Sequence, residues 1–171
     1  MGSRMVVNGF EDGTFRPAQD MTRAEFAEIM VRGLGLKPQE GKAPFKDIQE
    51  NDWYNASILT AFEFGLISGF EDGTFRPQDK ITREQAMQII ARAMQISGLK
   101  GKLQATDADV LIVPFADAEN VSAWAKNGVV DILNAEIVTG RSGKMLAPKA
   151  NVTRAEIAVM IRNLLSKSDL I

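Results

Sequence analysis

The 171-residue chain contains no histidine and no cysteine. The first absence excludes Ser-His triads, imidazole general bases and histidine metal sites. The second excludes thiol nucleophiles, zinc-thiolate sites and disulfides, and a disulfide-free chain can work on either side of a membrane. An excess of either charge is also missing. Twenty Lys and Arg stand against 22 Asp and Glu, for a net charge of −2 and a pI near 5.3. That balance argues against a general nucleic-acid binder, which needs a strong positive field. No apolar run approaches the ~20 residues that span a bilayer; Val110-Leu111-Ile112-Val113 is only strand length. No signal peptide is visible, and Met1-Gly2-Ser3 reads as the remnant of an expression tag. What remains is 45% hydrophobic and 25% charged, enough for a packed core.

The strongest positive signal is internal repetition. The run Gly-Phe-Glu-Asp-Gly-Thr-Phe-Arg-Pro occurs at residues 9–17 and again at 69–77, an offset of 60. A diverged third copy runs from Thr139-Gly140-Arg141 to Pro148. In every copy a Thr-Arg pair begins 13 residues after the first Gly: Thr22-Arg23, Thr82-Arg83 and Thr153-Arg154. Upstream of the second and third copies lies another shared block, Phe45-Lys46-Asp47 before Trp53 and Phe115-Ala116-Asp117 before Trp124. Each Trp stands 16 positions before its repeat's Gly. The chain therefore divides into a partial first repeat (1–37), a second repeat (38–97) and a third (98–171). The third is lengthened by a Gly-, Lys-, Ala- and Asp-rich stretch at about 98–113 that reads as an inserted linker.

Each full unit reads as helix, loop, helix. Over 52–64 the apolar positions Trp53, Ile58, Ala61 and Phe62 fit a helical face, with Asp52 to cap it and Gly65 to end it. The matching span at 122–135 carries Trp124, Val129, Ile132 and Leu133. A Gly- and Pro-punctuated loop follows. The second helix opens on a capping box, Thr22…Glu25, Thr82…Gln85 and Thr153…Glu156. Apolar stripes follow at Phe26, Ile29 and Met30, at Ala86, Ile89 and Ile90, and at Ile157, Met160 and Ile161. Arg32, Arg92 and Arg162 are expected late in these helices, suiting the negative dipole end. The predicted class is all-α.

Arg23, Arg83 and Arg154 are the chemical oddity. Each occupies the first helical position, where the dipole disfavours a cation by about 0.3–1 kcal/mol, yet all three copies keep it. A helix start with free N–H groups plus a guanidinium fork makes a good carboxylate or phosphate site. The structural reading is that each Arg pairs with Asp47, Asp117 or a loop acid and fixes one unit against the next. Trp53 and Trp124 read first as core residues and second as sugar-stacking platforms. Asp12-Gly13 and Asp72-Gly73 make poor calcium loops, because Phe10 and Phe70 fall on a ligand position and Gln19 or Asp79 on the slot for a bidentate Glu. Glu11-Asp12 and Glu71-Asp72 make an unconvincing glycosidase pair, since the third copy has Arg141-Ser142 there.

Phe-x-Asp, a Trp-led helix, Gly-Phe-x-Asp-Gly-x-Phe-x-Pro and Thr-Arg-Ala-Glu, in order and in register, resemble S-layer homology domains over almost the whole chain. The resemblance implies a non-enzymatic module without a cofactor, located outside the cell at a bacterial cell wall or S-layer. Such modules anchor proteins non-covalently to secondary cell-wall polysaccharide, typically through a mannosamine-type sugar carrying a ketal pyruvate. It also implies a pseudo-threefold spindle: the first helices form a central bundle, and the loops with the second helices project as prongs with ligand grooves between them. Carried over by position, the Thr-Arg-Ala-Glu motif is intact at Thr22 and Thr153 and varied at Thr82-Arg83-Glu84-Gln85. The groove-lining residues would be Asn8, Gly9 and Phe10; Ser68, Gly69 and Phe70; and Thr139, Gly140 and Arg141, the last replacing an aromatic.

One departure carries a structural expectation. The first repeat lacks its first helix, so apolar faces around Trp53 and Trp124 should be exposed, at a cost of about 25 cal/mol per Å². The gap would be filled by a second chain in a homodimer, by a swapped helix or by further native sequence. The alternative function is a structural assembly module whose arginines bridge repeats and whose partner is another protein.

Overall fold

The computed structural model describes residues 7–171; Met1-Gly2-Ser3, read above as a tag remnant, lies outside them. The described chain is helical, with only isolated β-bridges joining its loops. The long elements are α1 (Arg23–Gly33), α2 (Asn55–Glu63), α3 (Arg83–Ile96), α6 (Lys126–Asn134) and α7 (Arg154–Lys167). Two short helices, α4 (Leu99–Lys102) and α5 (Ala108–Ile112), lie between α3 and α6. The stretch expected to be a linker is thus partly helical. It is pinned to the body by the buried Leu99 and Ile112 and by Lys100 Nζ, 2.8 Å from Asp131.

The three capping boxes form as their spacing dictates. Thr22, Thr82 and Thr153 each accept the backbone N–H three residues on, and Glu25, Gln85 and Glu156 return to the Thr N–H. Two further N–H groups at each helix start are satisfied from another repeat. Arg23 and Ala24 donate to the carbonyls of Asp79 and Pro77, Arg83 and Glu84 to those of Ala150 and Pro148, and Arg154 and Ala155 to those of Gln19 and Pro17. The repeats close into a cycle. Its hub is Met21, Ile81 and Val152, all fully buried, in which Met21 N–H donates to Val152, Val152 to Ile81 and Ile81 to Met21 at 3.0–3.1 Å. The helix starts are therefore not open anion sites. Their donors are spent on closing the ring.

Asp47 and Asp117 do not partner the arginines. Asp47 accepts the N–H groups of Phe75 and Arg76 at 2.8 and 2.7 Å, and Asp117 those of Leu146 and Ala147 at the same distances. Arg76 and Ala147 both have positive φ, a strained geometry for a residue with a Cβ. Each carboxylate thus clamps a strained loop corner within its own repeat. The rings of Phe45 and Phe115 complete this contact by packing on Gly69 and Gly140. A Cβ at Gly69 would strike the Phe45 ring and lie 2.7 Å from the Thr74 carbonyl, whereas at Gly9 it would meet only the Thr14 carbonyl, at 3.1 Å. Gly69→Ala should therefore cost about 1–3 kcal/mol of stability in urea denaturation, and Gly9→Ala clearly less.

The first helices differ from expectation at their starts. The Asp52 carboxylate accepts the Gln49 N–H in a turn, and α2 begins after Tyr54 with no side-chain cap. Gly65 does end it, at φ +71°. Trp53 and Trp124 stand in the approach turns, off the buried helix faces, and are 59% and 56% exposed. The core reading of both is wrong for that reason. Ile58 and Ala61 of α2 and Val129 and Ile132 of α6 are buried. Of the three late arginines, only Arg32 falls in a last turn, beside Glu28. Helix α3 continues past Arg92, and Lys167 takes that place in α7.

Candidate functional site

Arg23, Arg83 and Arg154 are 8%, 2% and 7% exposed. Each places its guanidinium against the loop of a neighbouring repeat, because the backbone cycle brings that loop over the helix start. The Nε groups donate to the carbonyls of Phe75 (2.9 Å), Leu146 (2.8 Å) and Phe15 (3.0 Å) respectively. The partner is a carbonyl rather than the loop acid expected from sequence, so the guanidinium charge is not neutralised by this contact.

Beyond that shared bond the three sites diverge. Arg83 makes an ion pair with Glu156 at 2.9 Å. Glu156 is also held by Arg141 at 2.7 Å, so Arg141 lies folded onto this cluster. Burial works to raise the Glu156 carboxyl pKa, but hydrogen bonds from Arg141 and the Thr153 N–H, with the Arg83 charge, outweigh it and bring it to about 2. Arg154 spends a second donor on the Asn8 carbonyl, at 2.6 Å. Arg23 has no second hydrogen bond and no carboxylate within ion-pair distance among the described residues. Burial pushes its pKa down to about 10, only partly offset by Asp79, so it remains charged at neutral pH.

Arg23 lines a groove of about 680 Å³, within the size range of ligand sites. Three repeats build it. The first supplies Arg23, and the second supplies Ser68, Gly69, Phe70 and one face of α3. The third supplies Trp124. Two cations contact the Phe70 ring, Arg23 at 4.8 Å and Arg76 at 3.8 Å from its centroid, distances at which a cation is attracted to the ring face. Arg92, which donates to the Leu66 carbonyl, lies further along the same wall. The groove thus combines three cations, a neutral Gln85 and Gln88, and an exposed indole. Glu71 and Asp72 stand at its acidic side, and the Asp72 carboxylate is engaged by Thr74 and by Arg76.

The other two repeat junctions lack this combination. Beside Arg154, the α1 positions matching Gln85 and Gln88 are Glu25 and Glu28. Phe10 again has two cations over its ring, Arg16 at 3.8 Å and Arg154 at 4.7 Å, and by repeat register Trp53 is the counterpart of Trp124. Beside Arg83, Arg141 replaces the aromatic and pairs with Glu156. Gly140 receives the Phe115 ring, and Thr139 lies on the same short loop. Thus Arg23, Ser68, Gly69, Phe70 and Trp124 come together in one groove, while Asn8 and Phe10 meet Arg154 at a second junction and Arg141 meets Arg83 through Glu156 at a third. Sequence reasoning missed Arg76, Gln88 and Arg92. The signal was present: Gln85, Gln88 and Arg92 follow Thr82 at helical spacing, one face of α3.

Among the described residues no group of His, Cys, Asp and Glu is placed to hold a metal, and no helix is long and apolar enough to cross a membrane. The S-layer homology domain model matches residues 3–27, 44–87 and 114–158. The chain is 36% identical over 169 residues to an amylopullulanase of Thermoanaerobacterium thermosulfurigenes, covering 98% of this chain and 9% of that protein. It is 31% identical over 167 residues to the surface-layer 125 kDa protein of Lysinibacillus sphaericus, covering 96% of this chain and 13% of that one. A cellulosome-anchoring protein of Acetivibrio thermocellus is 38% identical over 123 residues, 68% of this chain and 27% of that protein. The chain therefore spans only a small fraction of each of these relatives. Its three matched repeats, closed in a cycle through Thr-Arg helix starts, belong to the S-layer homology domain family.

Proposed function

We propose that this chain is a non-enzymatic anchoring module of the bacterial cell surface that binds anionic cell-wall polysaccharide in the groove lined by Arg23. The observation that carries the reading is Arg23 itself. It is a buried guanidinium with no carboxylate within ion-pair distance among the described residues, opening on a groove with two more arginines and an exposed indole. A ligand carboxylate supplies the missing counterion, and desolvation makes that contact strong. A pyranose ring gives Trp124 an apolar face to cover. Both demands are met by a sugar bearing a ketal pyruvate, which joins a carboxylate to a ring. Surface-layer and cellulosome-anchoring relatives support the anchoring role, and the catalytic names among the relatives belong to much longer proteins.

Bridging by the arginines and binding by Arg23 are compatible, because Nε makes the bridge and the terminal nitrogens face the ligand. Isothermal titration with purified wall polymer, before and after mild acid removal of its pyruvate, tests the reading. Binding is expected for the pyruvylated polymer and at least tenfold weakening after removal. Equal affinity for both forms overturns the carboxylate reading. No binding to either, with association to another surface protein instead, favours the assembly role.

A further inference from the structure

Glu84 stands where the other two helix starts carry Ala24 and Ala155, so the Thr-Arg start itself does not need a carboxylate at that position. Glu84 is 3% exposed, and a buried carboxylate persists only where donors compensate its lost hydration. Three do so. The Ser122 N–H and hydroxyl each donate to it at 2.9 Å, and Lys149 Nζ stands 2.6 Å away. Lys149 also donates to the Ser122 hydroxyl. It reaches this place because its chain neighbours Pro148 and Ala150 take the first N–H groups of α3.

Ser122 leads the short 3₁₀ turn Ala123–Ala125 that carries Trp124, and Trp124 lines the Arg23 groove. A serine at such a position ordinarily caps its own helix. Here the hydroxyl makes no cap and is spent on Glu84. Beyond the indole the chain is pinned again. Ala125 and Val129 are fully buried, and a Cβ at Gly128 would fall 3.2 Å from the Gln88 Cα. Helix α3 therefore holds the chain on both sides of Trp124 while it supplies the groove wall through Gln88 and Arg92.

The second repeat offers the contrast. In register, Asn51 holds the place of Ser122 and Ala24 that of Glu84. Asn51 is exposed, and alanine has no side chain to grip it. Trp53 rests edge-on against Tyr54, its own chain neighbour, with 5.1 Å between ring centroids.

We infer that Glu84 is a positioning residue for the groove: by holding Ser122 it fixes the turn that carries Trp124, so the indole stands over the Arg23 groove before a ligand arrives. An exposed indole on an unanchored turn has to be ordered at each binding event, and prior ordering turns that cost into affinity. The inference rests on the reading of the Arg23 groove as the glycan site, whereas the order of Trp124 can be measured without any glycan.

The chain has two tryptophans, so Trp53→Phe leaves Trp124 as the single indole. In that background, time-resolved fluorescence anisotropy should show Trp124 moving with the whole protein, and Glu84→Ala should add a fast local component. Ser122→Pro attacks the same contact from the other side. The φ of −62° at Ser122 already suits proline, so both donors go while the chain keeps its path, and the indole should be freed likewise. Titration with pyruvylated polymer then gives a double-mutant cycle. Glu84→Ala should weaken binding severalfold, and Glu84→Gln, which keeps an acceptor for Ser122, much less. Once Trp124→Ala is in place, Glu84→Ala should cost nothing further. An indole that stays equally ordered in Glu84→Ala and Ser122→Pro overturns the inference. So does a loss of affinity from Glu84→Ala that is the same with and without Trp124. A parent chain that binds no pyruvylated polymer overturns the glycan reading instead, and the anisotropy alone then upholds or overturns positioning by Glu84.

Discussion

Replacing Arg23 by alanine is expected to lower affinity for the pyruvylated polymer about tenfold to a hundredfold, if the proposed site holds the ligand carboxylate. A hydrogen bond to a charged group is worth ~1.5–3 kcal/mol, and each 1.4 kcal/mol is tenfold. The variant also loses the bond to the Phe75 carbonyl, so binding is to be compared at a temperature where its melting curve shows it fully folded. Trp124→Ala separates the two roles. The indole is 56% exposed and lines the groove, so binding should fall severalfold with the melting temperature unchanged. Trp53→Ala should leave binding unchanged, since its junction carries Glu25 and Glu28 where the Arg23 groove has two glutamines. Isothermal titration of the three variants against one polymer preparation checks the set. Loss of binding in Trp53→Ala but not in Trp124→Ala would move the site to the Arg154 junction.

Glu156→Gln destabilises the fold by about 3 kcal/mol, the lower end of the cost of breaking a buried ion pair. Glutamine still closes the capping box, as Gln85 does in the second repeat, so the loss isolates the charge. Removing it strands Arg83, whose side chain is 3% exposed, and frees Arg141. Glu25→Gln is the control, because Glu25 makes the same cap and no ion pair among the described residues, and it should change stability by less than about 0.5 kcal/mol. The same carboxylate sets an acid dependence. Its folded pKa of about 2 lies below the ordinary 4.5. The stability it contributes is therefore complete above about pH 4.5 and is lost as pH falls toward 2. Urea midpoints measured from pH 6 down to 2.5 should drop in the parent chain and flatten in this interval for Glu156→Gln.

Much of the architecture was legible because it is written in local spacing. A capping box needs only four consecutive residues, and all three form. The pairing of Phe-x-Asp with its loop was visible as a recurrent block, though not its chemistry: the structural reading offered Asp47 and Asp117 as partners for the arginines, and they instead clamp positive-φ corners. That error has a physical origin, since a carboxylate near a cation in sequence has no preference between it and two backbone N–H groups until the loop shape is known. The Trp residues misled for a similar reason. A helical apolar stripe does not say where the helix begins, and a start one or two residues late moves an indole from the buried face to the rim.

The sequence by itself determined three Thr-Arg helix starts and their capping, because each depends on residues close in the chain. Only the tertiary structure decided what the arginines face. The cycle through Met21, Ile81 and Val152 brings together loops and helices far apart in the chain. At each junction the neighbouring repeat chooses the surroundings: Glu156 and Arg141 for Arg83, the Asn8 carbonyl for Arg154, and an open groove with Trp124 for Arg23. Of three equivalent motifs one is paired with a carboxylate, one spends a second donor on a carbonyl and one opens on a groove, since a charge is neutralised by the groups packed against it in space and not by its neighbours along the chain.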